Sequence, residues 1–248
     1  MPVANKPVLF YGLEALRASG ITEVGIVVGD TRAAIEAAVG DGSAFGLAVT
    51  YLPQEAPLGL AHAVLISEAY LGDEPFVMYL GDNLLKEGVA PFVRAFDESR
   101  PDALILLQKV PDPQNYGIAE LDGEGRVARL AEKPAEPRSD LALVGVYLFT
   151  AAVFDSVKAI APSARGELEI TDAIQHMVER GLRVEPHVVT GWWKDTGKLE
   201  DMLEANRLVL STLVGDVRGV LHETTLEGPV RIGKGSRLDR CTVRGPVV

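Results

Sequence analysis

The sequence predicts an α/β protein built on a mixed sheet that is wound with helices on both faces. Three observations carry this. Short apolar runs at 24–28, 47–52, 76–80 and 103–110 alternate with helical patterns through the first half, the order that yields a covered parallel sheet. The run Phe76-Val77-Met78-Tyr79-Leu80 is bounded by Pro75 and Gly81, long enough for a strand and too short for a helix. Its lack of polar alternation suits a strand buried on both faces. From Tyr116 onward strand patterns follow one another closely, and Asp122-Gly123 is a hairpin signal, so the sheet is not purely parallel.

Taken in order, residues 1–7 carry Pro2 and Pro7 and read as irregular. Leu9, Leu13 and Leu16 at helical spacing place a helix over 8–19, stopped by Gly20. Thr31 is the expected cap of a second helix ending at Gly40. Helices are expected over 58–71 and 89–98, on either side of the 76–80 strand. Strands are expected over 116–121, 127–132, 143–149 and 184–189, with helices over 152–160 and 170–180. A long helix over 199–213 carries Leu199, Met202, Leu203, Leu208 and Val209 on its apolar side. From about residue 218, Val220, Leu226, Ile232 and Leu238 recur every six residues, with a slip of phase at Val243. Such a period marks a parallel β-helix, which needs about three coils for a core. The reading is a domain at 1–217 and the start of a left-handed β-helix at 218–248.

Composition excludes several classes. A net charge of −11 over 248 residues argues against binding long nucleic acid, which needs a basic face. Cys241 is the only cysteine, which rules out an intramolecular disulfide and fits a reducing cytoplasm. No apolar run reaches the roughly 20 residues of a membrane span, and no signal-peptide pattern opens the chain. A soluble cytoplasmic protein is expected. Asp82 follows the apolar run at the carboxyl end of a strand, where α/β sheets bind ligands. A carboxylate there suits Mg²⁺; equally, Gly81-Asp82-Asn83 is a set of turn formers.

Several segments together resemble the sugar-phosphate nucleotidylyltransferase family, most closely its members that join thymidylate to glucose 1-phosphate. They are Lys6-Pro7-Val8-Leu9-Phe10-Tyr11, Gln54 to Ala61, Leu80-Gly81-Asp82-Asn83, Tyr116-Gly117, Glu132-Lys133-Pro134, Val144-Gly145-Val146-Tyr147, Gly166 to Asp172 and Trp193 to Gly197. The resemblance implies a Rossmann-like nucleotidyltransferase fold. It also implies attack by a sugar 1-phosphate on the α-phosphorus of a nucleoside triphosphate, with pyrophosphate leaving. The nucleophile is already an anion, so the work is alignment and charge neutralisation. By the same resemblance Asp82 and Asp195 hold Mg²⁺, and Lys133 meets the sugar phosphate. Glu132 and Glu167 accept from sugar hydroxyls, while Tyr116, Gly117, Gly145 and Tyr147 shape the sugar pocket. Gln54 and Gly59 contact the base, and Lys194 is a second cation at the phosphates. Bland readings stand beside these: Asp195 as a residue near a helix start, Lys133 as an exposed strand-end lysine, Gly117 and Gly145 as bulges.

The family opens with a strand and a Gly-rich loop carrying an arginine and a lysine. Residues 1–6 do not supply that loop, so the expectation is a fragment of a longer chain, with the sheet lacking its first strand. Rival readings are a nucleotide-sugar-dependent glycosyltransferase and a non-catalytic binder of sugar phosphates. A uracil-specific relative is a further alternative, since thymine and uracil differ by one methyl group, worth about 1–3 kcal/mol in a pocket. Oligomeric state is open, and a homo-oligomer is compatible with the sequence.

Overall fold

A computed structural model describes residues 2–248. Its first residues form a hairpin instead of an irregular lead-in. β1 (Pro2–Val3) pairs antiparallel with β2 (Lys6–Pro7) through Ala4 and Asn5, both at positive φ. Two-residue hairpin turns require that handedness. Alanine at the first corner hides the signal, which normally shows as glycine. There follow α1 (Val8–Ala18), β3 (Glu23–Val28), α2 (Arg32–Val39), β4 (Ala48–Pro53), α3 (Leu60–Leu71), β5 (Phe76–Tyr79), β6 (Asn83–Leu85) and α4 (Ala90–Ser99). Next come β7 (Ala103–Lys109), β8 (Gly117–Leu121), β9 (Val127–Glu132), β10 (Leu141–Phe149), α5 (Ala152–Ala159) and α6 (Ile170–Glu179). β11 (Val184–Val188), β12 (Trp193–Asp195) and α7 (Leu199–Ser211) lead to a tail of short strands. Thr31 makes no side-chain cap bond to α2, contrary to expectation.

The chain divides into two compact units. The larger holds Leu13–Leu80 and Leu85–Trp193. Its main sheet has the order β11-β7-β10-β8-β9, with β5 also on β10. β11 runs parallel to β7, while β10 is antiparallel to β7, β8 and β5. The sheet is therefore mixed. β10, not β5, is its centre: eight of its nine residues are buried, whereas Phe76–Tyr79 are each only half-buried and pair on one edge. The reason is length and neighbours. β10 offers an outer edge to β8 at Ala142 and to β5 from Val146 to Phe149. Gly145 lies at that fork, where the β10–β7 register shifts between Leu143 and Tyr147. β3 and β4 form a separate parallel pair, and among the described residues no ladder joins them to β5. One core lies under α3, α5 and α6, around Ile105, Phe149, Ile174 and Met177. A second lies under α4, around Phe92, Leu106 and Val146.

The smaller unit holds residues 2–12, Gly81–Leu84 and Lys194–Val248. In it β6 pairs with β12. α7 buries Met202 and Ala205, while Leu199 and Leu203 are 72% and 66% exposed. The apolar side expected from the sequence is thus rotated: a small alanine marks the packed line. The tail strands Asp216–Val217, Val220–His222 and Thr225–Glu227 pair in parallel with Arg231–Ile232, Arg237–Asp239 and Thr242–Arg244. Val220 faces Arg237 and Leu226 faces Val243, an advance of 17 residues in each case. That advance, one short of three six-residue sides, accounts for the slip of phase at Val243. Among the described residues no helix is long and apolar enough to cross a membrane.

Candidate active site

In the larger unit, β9 ends on Glu132, and Lys133 follows at φ +40. A non-glycine residue in the left-handed region costs about 1–3 kcal/mol and persists where its surroundings dictate it. Here the Lys133 N–H donates to the Tyr116 carbonyl at 3.0 Å. Lys133 Nζ stands 3.9 Å from Glu132 Oε1. The other oxygen of Glu132 accepts from the buried Thr171 hydroxyl at 2.7 Å. A Cβ on Gly117 would fall 2.7 Å from that hydroxyl and 3.0 Å from Glu132 Oε2. Glycine is required at 117 because the Glu132–Thr171 contact fills the space. Gly145 marks the fork in β10 and accepts the Leu80 N–H at 2.8 Å.

Arg165 gathers the carboxylates. Its Nη2 lies 3.2 Å from Glu132 Oε1, 2.8 and 2.9 Å from the two Glu169 oxygens and 3.8 Å from Glu167 Oε2. Hydrogen bonding to Glu169 raises the guanidinium pKa despite partial burial. Tyr147 is 3% exposed and packs flat against Phe149 at 5.9 Å. Burial first, and then the Glu132 charge, push its phenol pKa well up. It is a neutral wall of the core beneath this cluster. Tyr116 meets Trp193 edge-on at 5.6 Å.

The loop from Gln54 to Ala61 is joined to the Glu167 loop. Leu168 N–H donates to the Leu58 carbonyl at 2.8 Å, and Ala61 N–H to the Leu168 carbonyl at 3.0 Å. Gly59 lies between them at φ +100, ψ 171, a region essentially restricted to glycine. A Cβ there would stand 2.8 Å from Leu168 N and closer still to its carbonyl oxygen. So Gln54 and Gly59 are fixed to the segment that carries Glu167.

In the smaller unit, Asp82 precedes β6 and Asp195 ends β12. Thr196 donates to the Asp82 carbonyl through its backbone N–H at 3.0 Å and its hydroxyl at 2.7 Å. The buried Asn83 amide donates to Asp82 Oδ1 at 2.8 Å. Asp195 Oδ1 accepts the Gly197 N–H at 2.7 Å. Burial raises the Asp195 pKa; the Gly197 bond opposes this, and the Asp82 charge adds to the rise. Among the described residues no three His, Cys, Asp or Glu side chains form a metal-binding group. Lys194 is not a free cation. Its ammonium sits 2.8 Å from Asp201 and 2.6 Å from Glu204 on α7. Burial pulls its pKa down, but those two carboxylates outweigh burial and raise it.

Residues 1–212 match the family described as Nucleotidyl transferase. The chain belongs to that family. It is 56% identical to the glucose-1-phosphate thymidylyltransferase of Streptomyces antibioticus, over 99% of this chain and 70% of that protein. It is also 56% identical to the protein of the same name from Streptomyces griseus, over 100% of this chain and 70% of the relative. Among solved structures it resembles a protein described as a glucose-1-phosphate thymidylyltransferase from Bacillus anthracis, in complex with sucrose. That match has a TM-score of 0.80 and 33% identity, and covers 87% of each chain. The resemblance to sugar-phosphate nucleotidylyltransferases and the Rossmann-like α/β fold are thereby borne out.

For a nucleotidyl transferase, sequence reasoning passed over Arg165, Thr171, Asn83 and Thr196. Arg165 directly precedes the Gly166-Glu167 motif and Thr171 lies inside it. Their roles show only when strand and loop are brought together across more than thirty residues. Asn83 and Thr196 adjoin Asp82 and Asp195 in sequence, and both hold Asp82, Asn83 at its carboxylate and Thr196 at its backbone carbonyl.

Proposed function

We propose that this nucleotidyl transferase joins thymidylate from dTTP to glucose 1-phosphate, giving dTDP-glucose and pyrophosphate. The observation that carries the reading is the joining of the Gln54–Gly59 loop to the Glu167 loop by the Leu168 backbone. One rigid frame then aligns a base-reading amide with sugar-hydroxyl acceptors, the alignment such a reaction needs. The names of the 56%-identical relatives support the same substrates.

In this reading Glu132 and Glu167 accept from sugar hydroxyls, and Thr171 and Arg165 hold those carboxylates in place. Lys133, half-exposed beside Glu132, supplies a point charge to the sugar phosphate. Tyr116, Gly117, Gly145 and Tyr147 shape the sugar pocket, and Gln54 and Gly59 the base pocket. Lys194 acts through its α7 carboxylates and not at the phosphates. Asp82 and Asp195 would hold a Mg²⁺ ion. They offer hard oxygen donors; burial raises the Asp195 pKa and the Asp82 charge adds to the rise, and a cation would relieve both. When bound, such an ion neutralises phosphate charge. The parallel stacking of the three tail pairs, two of them at an advance of 17 residues, supports the start of a β-helix there.

The test is pyrophosphate release by the protein as its gene encodes it. A panel of nucleoside triphosphates would be crossed with a panel of sugar 1-phosphates. Fastest release with dTTP and glucose 1-phosphate together, and none without the sugar phosphate, is the expected result. Release that ignores the sugar phosphate, or no release with any pair, would overturn the proposal.

A further inference from the structure

Gln54 follows the last residue of β4 and is half-buried, with its backbone N–H on the Val28 carbonyl at 2.8 Å. Its side-chain Nε2 lies 3.3 Å from the Gly59 carbonyl oxygen and 2.9 Å from His62 Nδ1. A carbonyl oxygen only accepts, so the amide nitrogen must face Gly59; the reversed amide would set two oxygens against each other. The second amide hydrogen then points to His62, whose Nδ1 must accept, leaving its ring proton on Nε2. Both N–H groups of Gln54 are thereby occupied within the protein. Among the described residues nothing donates to Gln54 Oε1, and that atom is not a buried orphan. The amide therefore presents a fixed acceptor outward.

We infer that His62 is a specificity-determining positioning residue: it locks the Gln54 amide so that Oε1 reads an imino N–H on the nucleobase. This rests on the reading of Gln54 as the base contact. Thymine and uracil carry a hydrogen on N3 and match. Cytosine has a lone pair there, and two acceptors repel. Without His62 only the longer Gly59 bond restrains the amide, which can then turn and offer Nε2 to cytosine. His62 stands in the first turn of α3 and Gly59 caps that helix. One short segment thus sets the orientation from both sides.

The experiment is titration calorimetry of dTTP and dCTP against wild type, His62→Leu, His62→Ala and His62→Gln, with turnover measured in parallel. The preference for dTTP should fall about tenfold in His62→Leu, the weight of one well-made hydrogen bond. It should return in His62→Gln, whose side-chain oxygen restores an acceptor. His62→Ala serves if the leucine variant does not fold. KM for dTTP should rise with kcat within about twofold, since no reacting atom is touched. An unchanged preference in the leucine or alanine variant would overturn the inference, and so would a wild type that binds dCTP as well as dTTP. A wild type that prefers dTTP yet forms no nucleotide sugar would instead overturn the proposed reaction and leave the role of His62 intact.

Discussion

Replacing Gly59 by alanine asks whether the base loop and the sugar loop are one frame. At φ +100 and ψ 171 an alanine costs about 1–3 kcal/mol in backbone strain alone. Its Cβ would also stand 2.8 Å from Leu168 N and 3.0 Å from Glu167 Cβ, and nearer still to the Leu168 carbonyl oxygen. Backbone atoms have no rotamer to escape into, so the loops must part. Parting them breaks the Leu168-to-Leu58 and Ala61-to-Leu168 hydrogen bonds, each worth about 1 kcal/mol. The total is about 3–5 kcal/mol of lost stability, read by urea unfolding. Because one loop holds Gln54 and the other Glu167, KM should rise for dTTP and for glucose 1-phosphate together. Gly123→Ala is the control: nothing lies within 4 Å of its added Cβ, so stability should stay within about 0.5 kcal/mol. A Gly59→Ala protein as stable as wild type, with both KM values unchanged, would refute the frame.

Asp195→Asn should abolish turnover yet raise the melting temperature at neutral pH in metal-free buffer. The raised Asp195 pKa means the folded state holds its proton longer, so stability falls as pH climbs above the ordinary aspartate range, about 4. The advantage of the variant should vanish below about pH 4, and added Mg²⁺ should stabilise wild type but not the variant. Thr171→Val removes the donor to Glu132, and KM for glucose 1-phosphate should rise roughly tenfold with KM for dTTP unchanged; equal rises in both would contradict a local role. Lys194→Met removes a partner of Asp201 and Glu204. It should lower stability by about 1 kcal/mol while changing kcat less than Lys133→Met does. A larger loss of kcat than Lys133→Met would place its charge at the phosphates after all.

Much of the fold was legible because burial enforces period. The strand at Val127–Glu132 lies where the pattern puts it, and α5 and α6 end within one residue of expectation. What escaped depends on pairing over distance. The run at Phe76 reads as buried on both faces because all its residues are apolar, yet it pairs on one edge only and is half-buried, while β10, with three strand partners, carries the buried centre. Leu199 and Leu203 looked buried by spacing alone, but packing chose the stripe with the small Ala205. Among the candidate residues, those that carry charge or chemistry stand out from sequence: Asp82, Glu132, Lys133, Asp195. Residues that act by holding others do not. Thr171, Asn83, His62 and Arg165 acquire meaning only from the atoms beside them.

The central claim is that an oxygen of the sugar phosphate attacks the α-phosphorus of dTTP. The most direct measurement uses glucose 1-phosphate labelled with ¹⁸O in its non-bridging phosphate oxygens, with dTTP and Mg²⁺, and reads the products by ³¹P NMR and mass spectrometry. The account predicts ¹⁸O in the bridge between the two phosphorus atoms of dTDP-glucose and none in pyrophosphate. Label-free dTMP with pyrophosphate would show water as the nucleophile, and ¹⁸O in released inorganic phosphate would show that glucose 1-phosphate loses its phosphate instead of keeping it in the product; either contradicts it.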